Sequence, residues 1–207
     1  MLNSLFRSSL ILATALITTT WSMPIHAGLF DGPVDSLPVL ERVALREGKT
    51  VVTGENGKYI ARTLVNASPE VVWAVLTDYE NSTQYLPNLV SSKVLETNQH
   101  GKVVEQVSER QIFVVTIRSR IRFATKETDK QRIDFRLVEG DLAKMQGYWK
   151  LEPVAPYPGA KPNQVLITTQ VEAEPAAGTP TDIFYDIYKS ALKDTMNAIR
   201  QEVGRRS

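Results

Sequence analysis

The sequence predicts an α+β fold in which an antiparallel sheet of consecutive strands lies against one long C-terminal helix. Three observations lead to this prediction. Runs with an apolar residue at every second position occupy much of residues 91–174, and turn-forming clusters separate them. A stretch with apolar residues at helical spacing then continues to Val203. A shorter helical stretch, which starts after Ser68, precedes these strands.

The first 27 residues have the features of a secretory signal peptide. Arg7 supplies the positive charge, Leu10–Trp21 forms the apolar segment, and Ile25-His26-Ala27 offers a cleavage site before Gly28. A membrane-spanning helix needs about 20 apolar residues, and this segment is shorter and interrupted by threonines. We therefore expect export to the periplasm or the medium, with a retained membrane anchor as the alternative.

The composition excludes several kinds of chemistry. The chain has no cysteine, which removes thiol catalysis, cysteine metal sites and a lipoprotein anchor. Beyond the leader the only histidine is His100, in a predicted turn, so histidine triads and multi-histidine metal sites lack material. A net charge of +1 gives no electrostatic reason to expect nucleic acid as a partner. We expect no metal and no required cofactor.

A short helix is predicted in an N-terminal extension that covers residues 28–48. It would run over Leu37–Glu47, with Ser36 as its N-cap, Pro38 in its first turn and Gly48 after its end. It has one apolar side, which indicates a packing element.

Two strands and a second helix follow the extension. Thr50–Thr53 and Tyr59–Val65 would pair as a hairpin, because Asn56-Gly57 between them is a strong signal for a tight turn. Ser68-Pro69 then marks a helix start, with serine as the N-cap and proline in the first helical position. A second short helical piece is predicted around Ser82–Leu86.

The central part of the chain predicts six further strands. They are Ser91–Glu96, Lys102–Arg110, Ile112–Thr125, Arg132–Val138, Gly147–Glu152 and Gln164–Glu174. Apolar and polar side chains alternate most clearly in the third of these runs, so one face of the sheet should be apolar and the other exposed to solvent. A proline-rich loop, Pro153–Asn163, separates the last two.

Arginines line the wet face of this predicted sheet. Arg118, Arg120 and Arg122 point the same way on one strand, with Arg132 and Arg136 on the next. They could form a patch for anionic lipid headgroups or an acidic partner. Alternatively, they form a solvated exterior whose charges are matched by acidic residues on the flanking strands.

The long C-terminal helix should extend over residues 180–203. Thr179 is the expected N-cap, Pro180 the first helical residue, and Asp182 completes a capping-box-like pair. At 1.5 Å per residue the helix would be about 36 Å long, which is enough to lie across a whole curved sheet.

Aromatic residues on the apolar sides of these elements are the candidate ligand-binding residues. A strongly curved sheet around one helix often cannot fill its own concavity, and an empty sealed cavity of roughly 300 Å³ would cost up to about 7 kcal/mol. Such a space would be open and wet, or occupied by an apolar molecule. Tyr85, Tyr188 and the loop Pro153–Asn163 are candidates for the mouth. The candidate lining residues are Trp73, Tyr85, Phe113, Phe123, Phe135, Trp149, Phe184 and Tyr188.

Two segments resemble a known superfamily. Ala67–Glu80, continuing through Tyr85-Leu86-Pro87-Asn88, resembles the opening helical segment of START-like proteins, of the polyketide cyclase/dehydrase and coenzyme Q-binding type. Glu139-Gly140-Asp141 with Gly147–Pro153 resembles the later glycine–tryptophan strand of that type. The resemblance implies a helix-grip fold with a hydrophobic tunnel, here as a ligand-binding domain over residues 49–207. It implies lipids, quinones or polyketides as ligands and provides no universal catalytic residue.

Three functions are compatible with these observations. The first is an exported carrier that binds an apolar small molecule, such as a lipid or an isoprenoid quinone. The second is a cyclase or dehydratase that preorganises a reactive chain in the same cavity, assisted by a carboxylate or a tyrosine. The third is an interaction module that uses the arginine-lined exterior for peripheral membrane or protein contact. No catalytic residue is assigned, and binding is the expected function rather than catalysis.

Overall fold

The computed structural model describes residues 32–99, 101–112, 114–157 and 159–207. The predicted leader, His100 and Phe113 lie outside the described residues.

The described chain forms one antiparallel sheet of eight strands with a long C-terminal helix, so the predicted α+β helix-grip fold is confirmed. The strand order is β1-β2-β8-β7-β6-β5-β4-β3. The strands are β1 (Val51–Glu55), β2 (Lys58–Val65), β3 (Leu89–Asn98), β4 (Gly101–Ile112), β5 (Val115–Thr128), β6 (Arg132–Gly140), β7 (Leu142–Val154) and β8 (Gln164–Pro175). The helices are α1 (Val39–Arg46), α2 (Pro69–Thr77) and α3 (Thr181–Arg206), with a 3₁₀ turn at Glu80–Gln84.

The first hairpin forms at the predicted turn. Asn56 and Gly57 both have positive φ, 50° and 79°, as a two-residue turn between antiparallel strands requires. A side chain at Gly57 would also collide with the carbonyl oxygen of Ala173 on β8, 2.2 Å from the position of a β-carbon. Glycine is therefore needed here for two reasons, the backbone conformation and the close approach of β8.

Helix starts were predicted with mixed success. Ser68 caps α2 as expected, because its hydroxyl accepts a hydrogen bond from the Val71 amide at 3.4 Å. The predicted caps Ser36 and Thr179 are wrong, since α1 and α3 begin one residue after a proline that is itself in the N-cap position. Pro38 and Pro180 have extended ψ angles of 146° and 116°. The residue before a proline, here Leu37 or Thr179, is biased towards extended backbone, and this bias fits a helix that starts at the proline or just after it. The sequence therefore did not distinguish the two starts.

The hairpin that joins β4 and β5 was also misplaced. The predicted strand Ile112–Thr125 starts on the far side of the turn, because β4 continues to Ile112 and β5 begins at Val115. The connecting residues 113 and 114 are phenylalanine and valine, which carry none of the usual turn signals. The alternation within β5 is nevertheless as predicted, since Phe123, facing Val104 in register, shares a face with Ile121 and Thr125.

The sheet has two faces with different coverings. We call the face that contacts α2 and α3 the inner face, and the opposite one the outer face. α1 and the segment before it cover only one end of the outer face, where Leu45 and Val34 pack against Leu64, Val154 and Leu166. The remainder of the outer face is polar, and the main hydrophobic core lies between the inner face and α3.

Candidate functional site

The C-terminal half of α3 is packed tightly against the inner face. Met196 and Val203 are fully buried and Ile199 is 3% exposed. They belong to a group of eleven buried residues, which we call the sealed cluster and which also includes Val72 and Val75 of α2. Its other buried members are Ala61, Val65, Ala67, Leu151, Val165 and Ile167.

Ion pairs hold this end of α3 against α2. Arg206 contacts the Asp78 carboxylate at 2.9 Å and the Glu202 carboxylate at 2.6 Å, and its guanidinium lies 5.8 Å from the centre of the Tyr85 ring. Hydrogen bonds from Arg205 and then Arg206 lower the pKa of the Glu202 carboxyl to about 2. These ion pairs thus fix the C-terminal end of α3 against the end of α2.

The N-terminal half of α3 contacts the inner face less completely. No residue of α3 before Met196 is buried, although all of them are described. Beneath this half lies a second cluster, in which Tyr59, Met145 and Val171 are buried, and we call these three, with the partly buried side chains around them, the open cluster. The partly buried members are Val52, Ile121, Phe123, Phe135, Leu137, Leu142, Tyr188 and Leu192. Solvent therefore reaches apolar side chains of the inner face here.

Aromatic rings line the helix side of the open cluster. Tyr188 stacks on Tyr59 with ring centroids 6.1 Å apart, and Phe184 lies 5.6 Å from Tyr188. The Tyr59 hydroxyl donates a hydrogen bond to the carbonyl oxygen of Tyr185 at 3.1 Å. Tyr188 is partly exposed as a residue, but its hydroxyl lies among apolar side chains, and this loss of solvation raises its pKa above the usual value.

The structure divides the predicted lining residues into two groups. Phe123, Phe135 and Tyr188 lie in the open cluster, with Phe184 against Tyr188. Trp73, Tyr85 and Trp149 instead pack against the sealed cluster.

Tyr85, a predicted mouth residue, has its hydroxyl engaged within the protein. It donates to the carbonyl oxygen of Val75 at 2.9 Å, which ties the 3₁₀ segment to α2. The predicted loop Pro153–Asn163 overlaps the end of β7 and follows it at the sealed end, with the amide of Asn163 bonded to the carbonyl oxygen of Val154.

A row of polar residues on the inner face was missed by the sequence reasoning. On β4 the side chains of Gln106, Ser108 and Arg110 share the inner face with Val104. Gln106 donates to the Ser92 hydroxyl at 3.3 Å. The residues could have been found by counting in steps of two from Val104 along β4.

Arg110 crosses from this polar row to the helix. Its guanidinium lies 3.5 Å from the Asp194 carboxylate of α3. The inner face at the open cluster therefore has an apolar floor on β5, β6 and β7 and a polar margin on β3 and β4. This arrangement suits an amphipathic molecule.

A second polar group lies where the inner face meets the 3₁₀ segment. Tyr79 is 8% exposed, and its ring contacts the Phe123 ring edge-on at a centroid distance of 6.4 Å. Lys102 and Glu127 form an ion pair of 2.8 Å beside it. Burial, followed by the negative charge of Glu127, raises the pKa of the Tyr79 hydroxyl above its usual range.

Four of the five predicted outer-face arginines, Arg118, Arg120, Arg122 and Arg132, are paired with carboxylates. Arg120 and Arg122 each contact both Glu105 and Glu139, at distances from 2.7 to 3.1 Å. Arg118 lies 3.2 Å from Glu109. Hydrogen bonds from Arg122 and Arg120 lower the pKa of Glu105, as expected for a carboxylate between two guanidinium groups. This arrangement corresponds to the solvated, charge-matched exterior.

Two open grooves lie elsewhere on the protein, although Phe135 of the open cluster also borders the first of them. One, of about 340 Å³, is on the outer face over Gln146, Tyr148 and Gln170, and the other, of about 640 Å³, lies between Pro33 and the end of β5. Most residues that line them are polar or charged, which does not suit an apolar ligand.

The described residues contain neither a candidate metal-binding cluster nor a candidate membrane-spanning helix. No group of three or more histidine, cysteine or acidic side chains in this part of the chain is arranged to hold a metal ion. None of its helices combines the length and the apolar character that crossing a membrane requires.

Comparisons with known proteins agree with this architecture. Three solved structures superpose on the chain. A START superfamily protein from Mycobacterium smegmatis is 16% identical with a TM-score of 0.60, over 74% of this chain and 100% of that one. The Zhui aromatase/cyclase from Streptomyces sp. R1128 is 20% identical with a TM-score of 0.56, over 72% and 94%. A STAR-related lipid transfer protein from Xanthomonas axonopodis is 18% identical with a TM-score of 0.56, over 74% and 89%.

At these identities the solved structures establish the fold alone. No curated protein matches the chain significantly. The model of the family described as polyketide cyclase / dehydrase and lipid transport matches residues 65–200, which is more than half of the chain. The chain therefore belongs to this START-like family.

Proposed function

We propose that the protein is an exported carrier that binds an apolar small molecule, such as a lipid or an isoprenoid quinone. The ligand lies on the open cluster, between the inner face of the sheet and the N-terminal half of α3. The observation that carries this proposal is the partial exposure of apolar side chains beneath that half of the helix, while the other half is sealed.

The energetics of the open cluster favour an apolar occupant. Partly exposed apolar surface gains about 25 cal/mol for each Å² that a ligand removes from water. Phe123, Phe135 and Leu137 form the floor, and Tyr188 and Leu192 the roof. The polar margin at Gln106 and Arg110 would orient a ligand that has one polar end.

Binding is a better-supported function than catalysis because the charged groups found on the inner face are paired. Lys102 contacts Glu127 at 2.8 Å and Arg110 contacts Asp194 at 3.5 Å. A general acid or base requires a group that is free to exchange a proton with the substrate. The alternative remains a cyclase or dehydratase, and it is supported by the same family match and by Tyr79 and Glu127 on the inner face.

The third function, contact with membranes or proteins through the arginine-lined exterior, has less support. The carboxylates of Glu105, Glu109 and Glu139 neutralise Arg118, Arg120 and Arg122. An anionic surface would have to compete with these existing ion pairs.

Export is proposed on the basis of residues 1–27. The expected result is that the full-length chain, expressed in a bacterium, is recovered outside the cytoplasm with Gly28 as its first residue. Recovery in the cytoplasm with the leader intact would contradict this part of the proposal.

Mass spectrometry of small molecules that co-purify with the protein tests the carrier function. Protein that starts at Gly28 should retain one homogeneous apolar compound in near-stoichiometric amount. As a matched control, Tyr148→Ala on the outer face should retain it and Phe135→Ala on the inner face should lose most of it. A native protein that carries nothing and takes up no apolar probe would contradict the proposal.

A further inference from the structure

The hydroxyl of Tyr79 is buried without a hydrogen-bond partner among the described residues. The residue is 8% exposed and lies just after α2. A buried hydroxyl that makes no hydrogen bond costs about 1–3 kcal/mol, so native proteins seldom keep one without a reason. This hydroxyl is available as a donor.

The polar side chains near the Tyr79 hydroxyl, those of Thr125 and Glu127, already make other hydrogen bonds. The Thr125 hydroxyl accepts from the Lys102 amide at 2.9 Å and donates to the Lys102 carbonyl oxygen at 3.2 Å. The Lys102 ammonium contacts Glu127 at 2.8 Å and lies 5.2 Å from the centre of the Tyr79 ring. The ion pair makes the site neutral overall, with one phenol as its unused donor.

The site adjoins the apolar lining of the open cluster. The ring of Tyr79 contacts Phe123, and Phe123 packs with Leu137, Tyr188 and Leu192 around the buried members of that cluster. A molecule on the open cluster would therefore have one end near Phe123 and Tyr79. Because burial and Glu127 raise the pKa of the hydroxyl, it remains protonated and able to donate at all physiological pH values.

We propose that Tyr79 donates a hydrogen bond to an uncharged carbonyl oxygen, of a ketone, quinone or ester, at one end of the apolar ligand. This inference rests on the proposed carrier function and specifies its ligand class. A carboxylate end is disfavoured, because it would meet Glu127 while Lys102 is already paired. Lys102 is the neighbour that would move aside for the ligand, since its side chain is 25% exposed.

Two probes of the same shape test the inference. They are 2-acetylnaphthalene, which has a carbonyl oxygen, and 2-ethylnaphthalene, which has a methylene group in its place. Binding is measured by isothermal titration to protein that starts at Gly28 and has been stripped of bound lipid. One added hydrogen bond is worth about 0.5–1.5 kcal/mol, so the native protein should bind the ketone roughly 3-fold to 10-fold more tightly.

Tyr79→Phe should abolish this preference and leave the affinity for 2-ethylnaphthalene unchanged. The variant should be at least as stable as the native protein, because the deleted hydroxyl has no partner to lose. Tyr148→Phe on the outer face, whose hydroxyl is bonded to Gln170 at 3.0 Å, should keep the native preference.

Equal affinity of the native protein for the two probes would overturn the inference, and so would a preference that persists in Tyr79→Phe. In both cases the carrier function would stand, because the probes still bind. Failure of both probes to bind would instead contradict the proposed binding region and, with it, the role of Tyr79.

Discussion

The two halves of α3 cross the same sheet but contact it differently. Eleven buried residues make up the sealed cluster beneath its C-terminal half, and three buried residues with a border of partly exposed side chains make up the open cluster beneath the other. α2 accounts for much of the difference. It packs against the C-terminal half and supplies Val72 and Val75 to the sealed cluster.

Because of this difference in burial, one half of α3 contributes mainly to stability and the other half is available for ligand binding. Sealed packing contributes to the free energy of unfolding, because fully buried methyl groups lose both transfer energy and contacts when they are removed. Partly exposed apolar surface contributes less to folding and remains available to a ligand. Substitutions in the sealed cluster should therefore mainly lower the free energy of unfolding, and substitutions in the open cluster should mainly weaken ligand binding.

The largest expected effect is on stability, in a comparison of Ile199 with Ile187, two isoleucines of α3. Ile199→Ala should lower the free energy of unfolding by about 2–5 kcal/mol, since the residue is 3% exposed in the sealed cluster. Ile187→Ala should cost about 1 kcal/mol or less, because that residue is partly exposed. Urea denaturation measures both, and equal losses would remove the distinction between the halves.

The second effect is on affinity, at the floor of the open cluster. Phe135→Ala should weaken binding of the co-purified compound about 10-fold or more while the domain stays folded, because the ring offers much of the apolar contact there. Titration of the delipidated variant measures it. A folded Phe135→Ala with native affinity would place the ligand elsewhere.

Acid stability should distinguish the sealed end. The Glu202 carboxyl has a folded pKa of about 2 against an ordinary value of 4.5, so its stabilising effect is full above about pH 4.5 and is lost as the pH falls towards 2. Glu202→Gln should lower stability at neutral pH and reduce the loss between pH 4.5 and 2. Unfolding curves over this range provide the measurement. In the control variant Glu109→Gln, stability should fall between pH 4.5 and 2 by the same amount as in the native protein. If the free energy of unfolding depends on pH in the same way in both variants, this role of Glu202 is refuted.

The smallest effect is expected on the outer face. Arg118→Ala should change the free energy of unfolding by less than about 1 kcal/mol, because the pair with Glu109 is solvated and the arginine side chain is 68% exposed. Ligand affinity should be unchanged. Salt-sensitive loss of binding to vesicles that contain anionic phospholipid would instead favour the interaction-module hypothesis.

Local signals in the sequence predicted most of the elements. The turn at Asn56-Gly57 and the cap at Ser68 depend on residues adjacent in the chain, and both were placed correctly. The helices α1 and α3 begin later than predicted, directly after Pro38 and Pro180. Either position for the N-cap satisfies the same local preferences, so the sequence could not choose between them. The turn between β4 and β5 was missed because it contains no glycine, proline or asparagine.

The candidate site could be predicted only in part. Alternation identified Phe123 and Phe135 as residues of the apolar face, and helical spacing did so for Tyr188. It could not show that Trp73 and Trp149 would pack against the other cluster. That division depends on where α2 and α3 meet the sheet, and no local pattern contains this information.

The antiparallel strands, the long terminal helix, the apolar and polar faces and the family resemblance can all be recognised in the amino-acid sequence. Periodicity and capping are properties of neighbouring residues, so they can be recognised without the fold. Contacts in the folded chain show which half of α3 is sealed and that Arg110 meets Asp194. They also show that the Tyr79 hydroxyl makes no hydrogen bond to the residues that the structure describes. These facts depend on contacts between segments distant in the chain, which the curvature and register of the sheet bring together.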